Sequence, residues 1–242
     1  MHNKSSVFSA GRRAGVLAAA LVLAGCGGGG GEEAVSPAVP LAAAFGNFVS
    51  DPATSQVTYS GMATGPTGQQ IPVSGSSSVS EVTTPSTFNN APALRKTLTE
   101  HGQLVLLGNS YPLSTTSSSY FSPQYAQLGG LDDGGYCTVT DYQALPVTAR
   151  AGHASAWFKE SCYTNSSKTV LTGSAVTSWT VEADSATSLR FKSLTRLTDT
   201  SGTVSESTRT LRITTAGAVQ RLEDSGTLAF SGVTLRYTGT YR

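Results

Sequence analysis

Between Ala175 and Ala183 every second residue (Ala175, Thr177, Trp179, Val181, Ala183) is apolar or threonine. A period of two fits only a strand with one face turned to a core, because successive side chains of a strand point to opposite faces. The pattern breaks at Asp184-Ser185-Ala186 and resumes, with Leu189, Phe191 and Leu197 alternating with Arg190, Lys192 and Arg196 until Asp199-Thr200-Ser201-Gly202. A third strand carries Leu211 and Ile213, Ala216-Gly217 marks a turn, and Val219 and Leu222 open a fourth. Asp224-Ser225-Gly226 has turn composition and is read as the next reversal. In the last segment Leu228 and Phe230 are even, whereas Val233, Leu235, Tyr237 and Tyr241 are odd, so a bulge at Gly232 is expected to return both groups to one face. Short reversals of this kind join antiparallel neighbours, and the C-terminal third is therefore a meander.

The same reading, less regular, extends toward the N-terminus: residues 56–63, 71–82, 103–107, 136–140 and 154–159 are expected strands. Tyr111 to Gly135, rich in Ser, Tyr and Gly, reads as a long excursion. The nearest approach to helical periodicity after Leu41 is a weak signal at Ala91 to His101, where Leu94, Lys96 and Leu98 recur. The expected class is all-β: one antiparallel β-domain over residues 41–242, as a barrel, half-barrel or sandwich.

Charged residues make up only 13% of the chain, and Ser and Thr together make up roughly a quarter, against about 25% charged residues in an ordinary domain. Polar but uncharged surface follows. Setting aside Lys4, Arg12 and Arg13 leaves 13 basic residues (16 minus 3) against 15 acidic ones, a balance of minus two. Nucleic-acid binding, which needs a basic stripe, is not expected.

The N-terminus has the layout of a secretory signal. Lys4, Arg12 and Arg13 precede an apolar run of about 11 residues from Ala14 to Ala24, shorter than the roughly 20 that span a bilayer as a helix. The run closes on Leu23-Ala24-Gly25-Cys26, which resembles the lipobox of bacterial lipoproteins. That resemblance implies removal of residues 1–25, lipidation of Cys26 with a diacylglyceryl group and an acyl chain such as palmitate, and attachment to the membrane. Gly27 in place of an acidic residue implies the cell outer membrane, facing periplasm or cell surface. Residues 26–40, opening with Gly27 to Gly31, lack aromatic residues and read as a flexible tether. With Cys26 lipidated, Cys137 and Cys162 are the remaining thiols, and an oxidising compartment leads us to expect a disulfide between them.

No motif for catalysis or cofactor binding stands out. His101 and His153 have no second histidine at metal-ligand spacing, and no Gly-x-Ser-x-Gly elbow is present. Asp132-Asp133-Gly134-Gly135 reads as a turn rather than a calcium loop. No metal and no cofactor are expected. The one cluster with binding character is aromatic: Tyr111, Tyr120, Phe121, Tyr125, Tyr136 and Tyr142, whose rings suit stacking on a ligand or partner as well as cross-strand packing.

The expectation is thus a lipid-anchored envelope protein with a non-catalytic role, in structure or in binding a ligand or envelope partner. A carrier with an apolar cavity for acyl chains, an enzyme with an unfamiliar site and a membrane-spanning barrel are the rivals. A dry pocket would favour the first, and a buried histidine on a carboxylate the second. The third needs an apolar outer belt, which Arg190, Lys192 and Arg196 interrupt.

Overall fold

The computed structural model describes residues 36–132, 135–230 and 232–242. One helix, α1 (Leu41–Ser50), precedes twelve strands. These are β1 (Ala53–Thr64), β2 (Gln70–Phe88), β3 (Ala91–Leu106), β4 (Asn109–Phe121), β5 (Gln127–Asp132) and β6 (Gly135–Tyr142), then β7 (Ala154–Tyr163), β8 (Leu171–Ser185), β9 (Ser188–Asp199), β10 (Val204–Thr214), β11 (Val219–Phe230) and β12 (Val233–Tyr241). Each strand pairs antiparallel with its sequence neighbours, and β12 returns to β1, so the sheet is a closed barrel. Closure removes the unpaired edges that an open sheet would expose.

Short reversals drive this order. Asn89 and Asn90 (φ 50° and 65°) join β2 to β3, and Leu107 and Gly108 (φ 51° and 77°) join β3 to β4, the left-handed pairs that two-residue hairpins require. A longer connection, from Tyr142 to Ala154, separates β6 from β7.

The wall is polar outside. The outward residues of β2 include Ser74, Ser76, Ser78 and Ser80, and those of β1 include Thr54, Gln56, Thr58 and Ser60; all are exposed. The abundance of Ser and Thr is thereby explained: they face water on strands whose other face holds the core. A lipid-facing belt needs apolar residues at these positions, and the serine row of β2 does not supply it. On the β8–β10 side, Arg190 and Arg212 converge on Asp184, and Lys192 meets Glu182.

Helix α1 lies within one end of the barrel. Its Leu41, Ala44, Phe45 and Val49 are buried against Trp157, Trp179, Val181, Leu189, Phe191, Leu211 and Ile213 from the inner wall. The helix is tied to the wall as well: Thr83 Oγ1 donates to the Val49 carbonyl (2.5 Å) and Asn47 Nδ2 to that of Gly217 (3.4 Å). The β6–β7 connection packs over its N-terminal end through a bridge between Val39 and Ala149. One end of the barrel is thus stoppered, and the chain enters there from Ser36, whose carbonyl accepts from Arg150 at 2.8 Å.

Several sequence expectations are corrected. The stretch after Leu41 contains a helix, which turns Leu41, Ala44, Phe45 and Val49 to the barrel interior and leaves Ala43, Asn47 and Ser50 exposed. Ala91–His101, the weak helical signal, lies in β3, and Tyr111–Gly135 is no excursion but β4, β5 and the start of β6. Asp224-Ser225-Gly226 sits inside β11, where Asp224 pairs with Arg209 and Gly239 across the ladder. Gly232 (φ 76°) is a turn residue between β11 and β12, so the two parities belong to two strands and no bulge is needed. Gly25, Cys26, Gly27 to Gly31, Asp133 and Gly134 lie outside the described residues.

Candidate functional site

The tyrosine cluster does not form one site. Phe121, Tyr125 and Tyr142 belong to the core around α1, with Tyr125 hydroxyl accepting from Ser50 at 3.1 Å. Tyr120 and Tyr136 stand on the outer wall, stacked on either side of Phe88 with ring centroids 4.7 and 5.2 Å away. Phe88 fills the outer surface over Gly129, where a Cβ would come within 2.6 Å of the Phe88 ring. Tyr111 is far from both groups in register, at the opposite end of the barrel from α1. These rings serve cross-strand packing.

Cys137 and Cys162 face each other across β6 and β7 and are joined by a disulfide (S–S 2.07 Å). It joins the start of β6 to the end of β7, at the end of the hairpin away from the connection that covers α1. His101 is exposed on the outer wall, with Nδ1 3.1 Å from Ser114 Oγ, and His153 is exposed at the start of β7. Neither meets a carboxylate. No group of three His, Cys, Asp or Glu suited to holding a metal ion occurs among the described residues, and none of their helices is long and apolar enough to cross a membrane.

The polar chemistry is inside. Below α1 the lumen contains a cavity of about 400 Å³ with Phe45, Phe48, Trp157 and Phe191 toward its stoppered end. A second cavity of about 240 Å³ adjoins it and shares Ser193, Thr195, Ser207 and Arg209. Ser207 and Arg209 point inward, yet Ser207 is exposed and the Arg209 side chain keeps 40% of its surface. Solvent therefore reaches the interior from the end away from α1.

Around this space runs a belt of ionic groups from strands distant in sequence. Glu81 of β2 (2% exposed) takes Lys96 of β3 at 3.0 Å (6% exposed) and also Arg221 of β11 (7% exposed). Both cations lie over the Phe48 ring of α1, at 5.0 and 5.1 Å from its centroid. Lys96 in addition donates to the Asp51 carbonyl at 3.2 Å, where α1 gives way to β1. Burial pulls the Lys96 ammonium below its ordinary value, against the opposing pull of Glu81.

Asp224 continues the belt. Arg209 Nε donates to it at 3.1 Å and Tyr241 hydroxyl at 2.6 Å, and Arg221 Nη1 lies 3.7 Å away. Burial alone would raise this carboxyl; Arg209 and Arg221 outweigh it and hold Asp224 below the usual carboxylate range. Tyr241 is pushed up by burial and by the Asp224 charge, so it remains a donor. Glu100 accepts from Tyr59 and from Ser77 (2.5 Å). On another part of the wall Glu160 of β7 lines the larger cavity, and burial, reinforced by Asp132, pushes its carboxyl up to about 7.

One buried donor in the cavity lining lacks an acceptor, Arg221 Nε. Buried polar atoms are nearly always paired, by protein or by water, so such orphans mark where another polar atom belongs. The arrangement offers recognition by shape and charge. The Ser114–His101 pair stands exposed on the outer wall, apart from this space.

Sequence reasoning missed this belt because its members are ordinary one by one. The available signal was Glu81, Lys96, Glu100, Asp224 and Arg221 standing at the inward parity of strands that also carry apolar inward residues such as Val73, Val79, Leu94 and Leu98. Neither a protein-family model, nor a curated protein, nor a solved structure matches the chain.

Proposed function

We propose that this protein is a lipid-anchored envelope lipoprotein whose barrel is a non-catalytic binding module, with the lumen as its site. The observation that carries the reading is the solvent-reached interior: a stoppered barrel keeps buried charges around a space of several hundred cubic ångströms instead of filling it. A concave space in which a few polar groups converge among apolar and aromatic side chains is the usual form of a small-molecule site. A purely structural barrel gains nothing from burying Glu81, Lys96 and Arg221, since apolar side chains of the same volume are generally as stable or more so.

The lipobox at Leu23 to Cys26 supports the anchor, and the chain's entry at the stoppered end supports an orientation in which the mouth opens away from the anchored segment. An acyl-chain carrier with a wholly dry cavity fits less well, because ionisable groups from several strands line the interior. Exposed His101 and His153, each without a carboxylate, weigh against the hydrolase alternative.

Native mass spectrometry of the full-length protein extracted from a two-membrane bacterium tests the reading. A bound small molecule released on unfolding, and lost in a lumen-filling Ser207→Trp variant that still folds, is the expected result. An empty protein in every preparation, or a ligand retained by the Ser207→Trp variant, refutes it.

A further inference from the structure

Resting on the reading of the lumen as a binding site, we propose that its ligand is a single-chain anionic amphiphile, a carboxylate of the fatty-acid type bound head inward. The interior has two zones that match the two parts of such a molecule. Deep in the lumen, Lys96, Arg209 and Arg221 face the carboxylates of Glu81, Asp224 and Glu100, three charges of each sign, so what singles out an anion is the arginine N–H left without an acceptor rather than a surplus of charge. Arg221, more than nine-tenths buried, keeps Nε without an acceptor, and Arg209 turns two-fifths of its side-chain surface to the cavity. A carboxylate is an acceptor-only group of one negative charge, and arginine N–H groups are its best partners.

Toward the mouth the inward positions change character. Leu197, Leu228 and Tyr111 face inward by register, with Leu197 opposite Ala175 and Leu228 opposite Leu235, yet they are 39%, 39% and 51% exposed. Leu104 and Leu106 continue the same inward face on β3. Isolated apolar residues such as Val82 and Val176 are as exposed on the outer wall, but these inward ones gather at one opening, where an apolar occupant would cover them together.

The two zones are the right distance apart. Ser193 pairs with Arg209, and Leu197 lies four residues further along β9, about 14 Å at roughly 3.4 Å per residue. A chain of medium length spans that interval with its head on the arginines and its tail between the leucines. Glu100 is held by Tyr59 and Ser77, and Glu160 and Asp132 line the cavity from β7 and β5, on a different part of the wall from the two arginines.

The full chain carrying Cys26→Ala, purified without detergent, is the sample for the test. Isothermal calorimetry and tryptophan fluorescence, with Trp157 in the lining, would follow titration with dodecanoate below its micellar concentration. The same measurement with dodecyltrimethylammonium and with acetate separates head from tail. Saturable one-to-one binding of dodecanoate is expected, with weak or no binding of either control. Arg209→Met, which leaves Asp224 still bonded to Tyr241, should weaken binding at least about tenfold, the loss of one charged hydrogen bond. Leu228→Asp, at the mouth, should weaken it comparably without touching the ionic belt. Equal or tighter binding of the cationic amphiphile overturns the assignment, as does failure of dodecanoate to bind. If dodecanoate fails while native mass spectrometry still finds a lumen ligand, the ligand class falls and the binding reading stands.

Discussion

Replacing Glu81 by Gln should be among the most damaging isosteric changes available in this protein. Glu81, Lys96 and Arg221 are 2, 6 and 7% exposed, and the Glu81 carboxylate is the anion both cations share, with Lys96 at 3.0 Å. Removing its charge leaves an ammonium and a guanidinium facing each other without water. Breaking one partner from a buried ionic group costs about 3–5 kcal/mol, a large part of the roughly 5–15 kcal/mol that holds a typical domain folded. Phe48 of α1, which lies 5.0 and 5.1 Å from the two cations, would lose its fixed neighbours, so the stopper should loosen with the belt. Urea denaturation followed by circular dichroism supplies the free energy, and tryptophan fluorescence reports on the region around Trp157. The control is the triple variant Glu81→Gln, Lys96→Met, Arg221→Met, which removes every charge together and should recover most of the loss. A Glu81→Gln protein within about 1 kcal/mol of wild type, a value ordinary for surface changes and small core adjustments, would refute the reasoning.

Glu160 gives a pH dependence of definite sign. Its folded value of about 7 stands above the ordinary 4.5, so the folded state binds the extra proton; this contribution is fully present below pH 4.5 and is lost as pH rises through 7. The ceiling is about 3 kcal/mol, and Glu160→Gln should flatten the stability profile over that range and be the more stable protein at about pH 8; an unchanged profile counts against the assignment. Breaking the Cys137–Cys162 bond by paired alanine substitution, which opens a loop with a sequence separation of 25, should cost about 3–4 kcal/mol in thermal or urea unfolding. Phe45→Ala, which removes a ring packed edge-on to Trp157 at 4.9 Å, should cost about 3–5 kcal/mol and increase hydrogen exchange along α1.

The strands of the C-terminal meander were legible because their inward and outward residues differ in kind: Trp179 and Val181 against Thr180 and Glu182, Phe191 against Arg190 and Lys192. The N-terminal strands were harder to delimit. In β2 the outward row is serine from Ser74 to Ser80 and the inward row includes Gly75, Ser77 and Glu81, so the contrast between faces weakens. Helix α1 escaped notice for a related reason. Ten residues with no side-chain cap and only Asn47 and Ser50 polar read as loop or strand when isolated; they are helical because a barrel surrounds them. Asp224-Ser225-Gly226 has the residues of a turn but is held straight by partners no local rule supplies. Asp224 is fixed by Arg209 and Tyr241, and Gly226 leaves room for the Tyr237 ring, 3.1 Å from where a Cβ would stand. The ionic belt was illegible throughout, since its residues meet only after β2, β3, β10, β11 and β12 have closed into one wall.

Chemical access to the lumen tests most directly whether the barrel encloses a functional, water-reached space. In Ser207→Cys, with the Cys137–Cys162 bond intact, a small neutral methanethiosulfonate should modify the new thiol at a rate comparable to that of Thr58→Cys on the outer wall. Ala44→Cys in the buried face of α1 should stay unmodified. A Ser207→Cys thiol as inert as the one at position 44 would mean a closed interior, and the account of a binding lumen would be wrong.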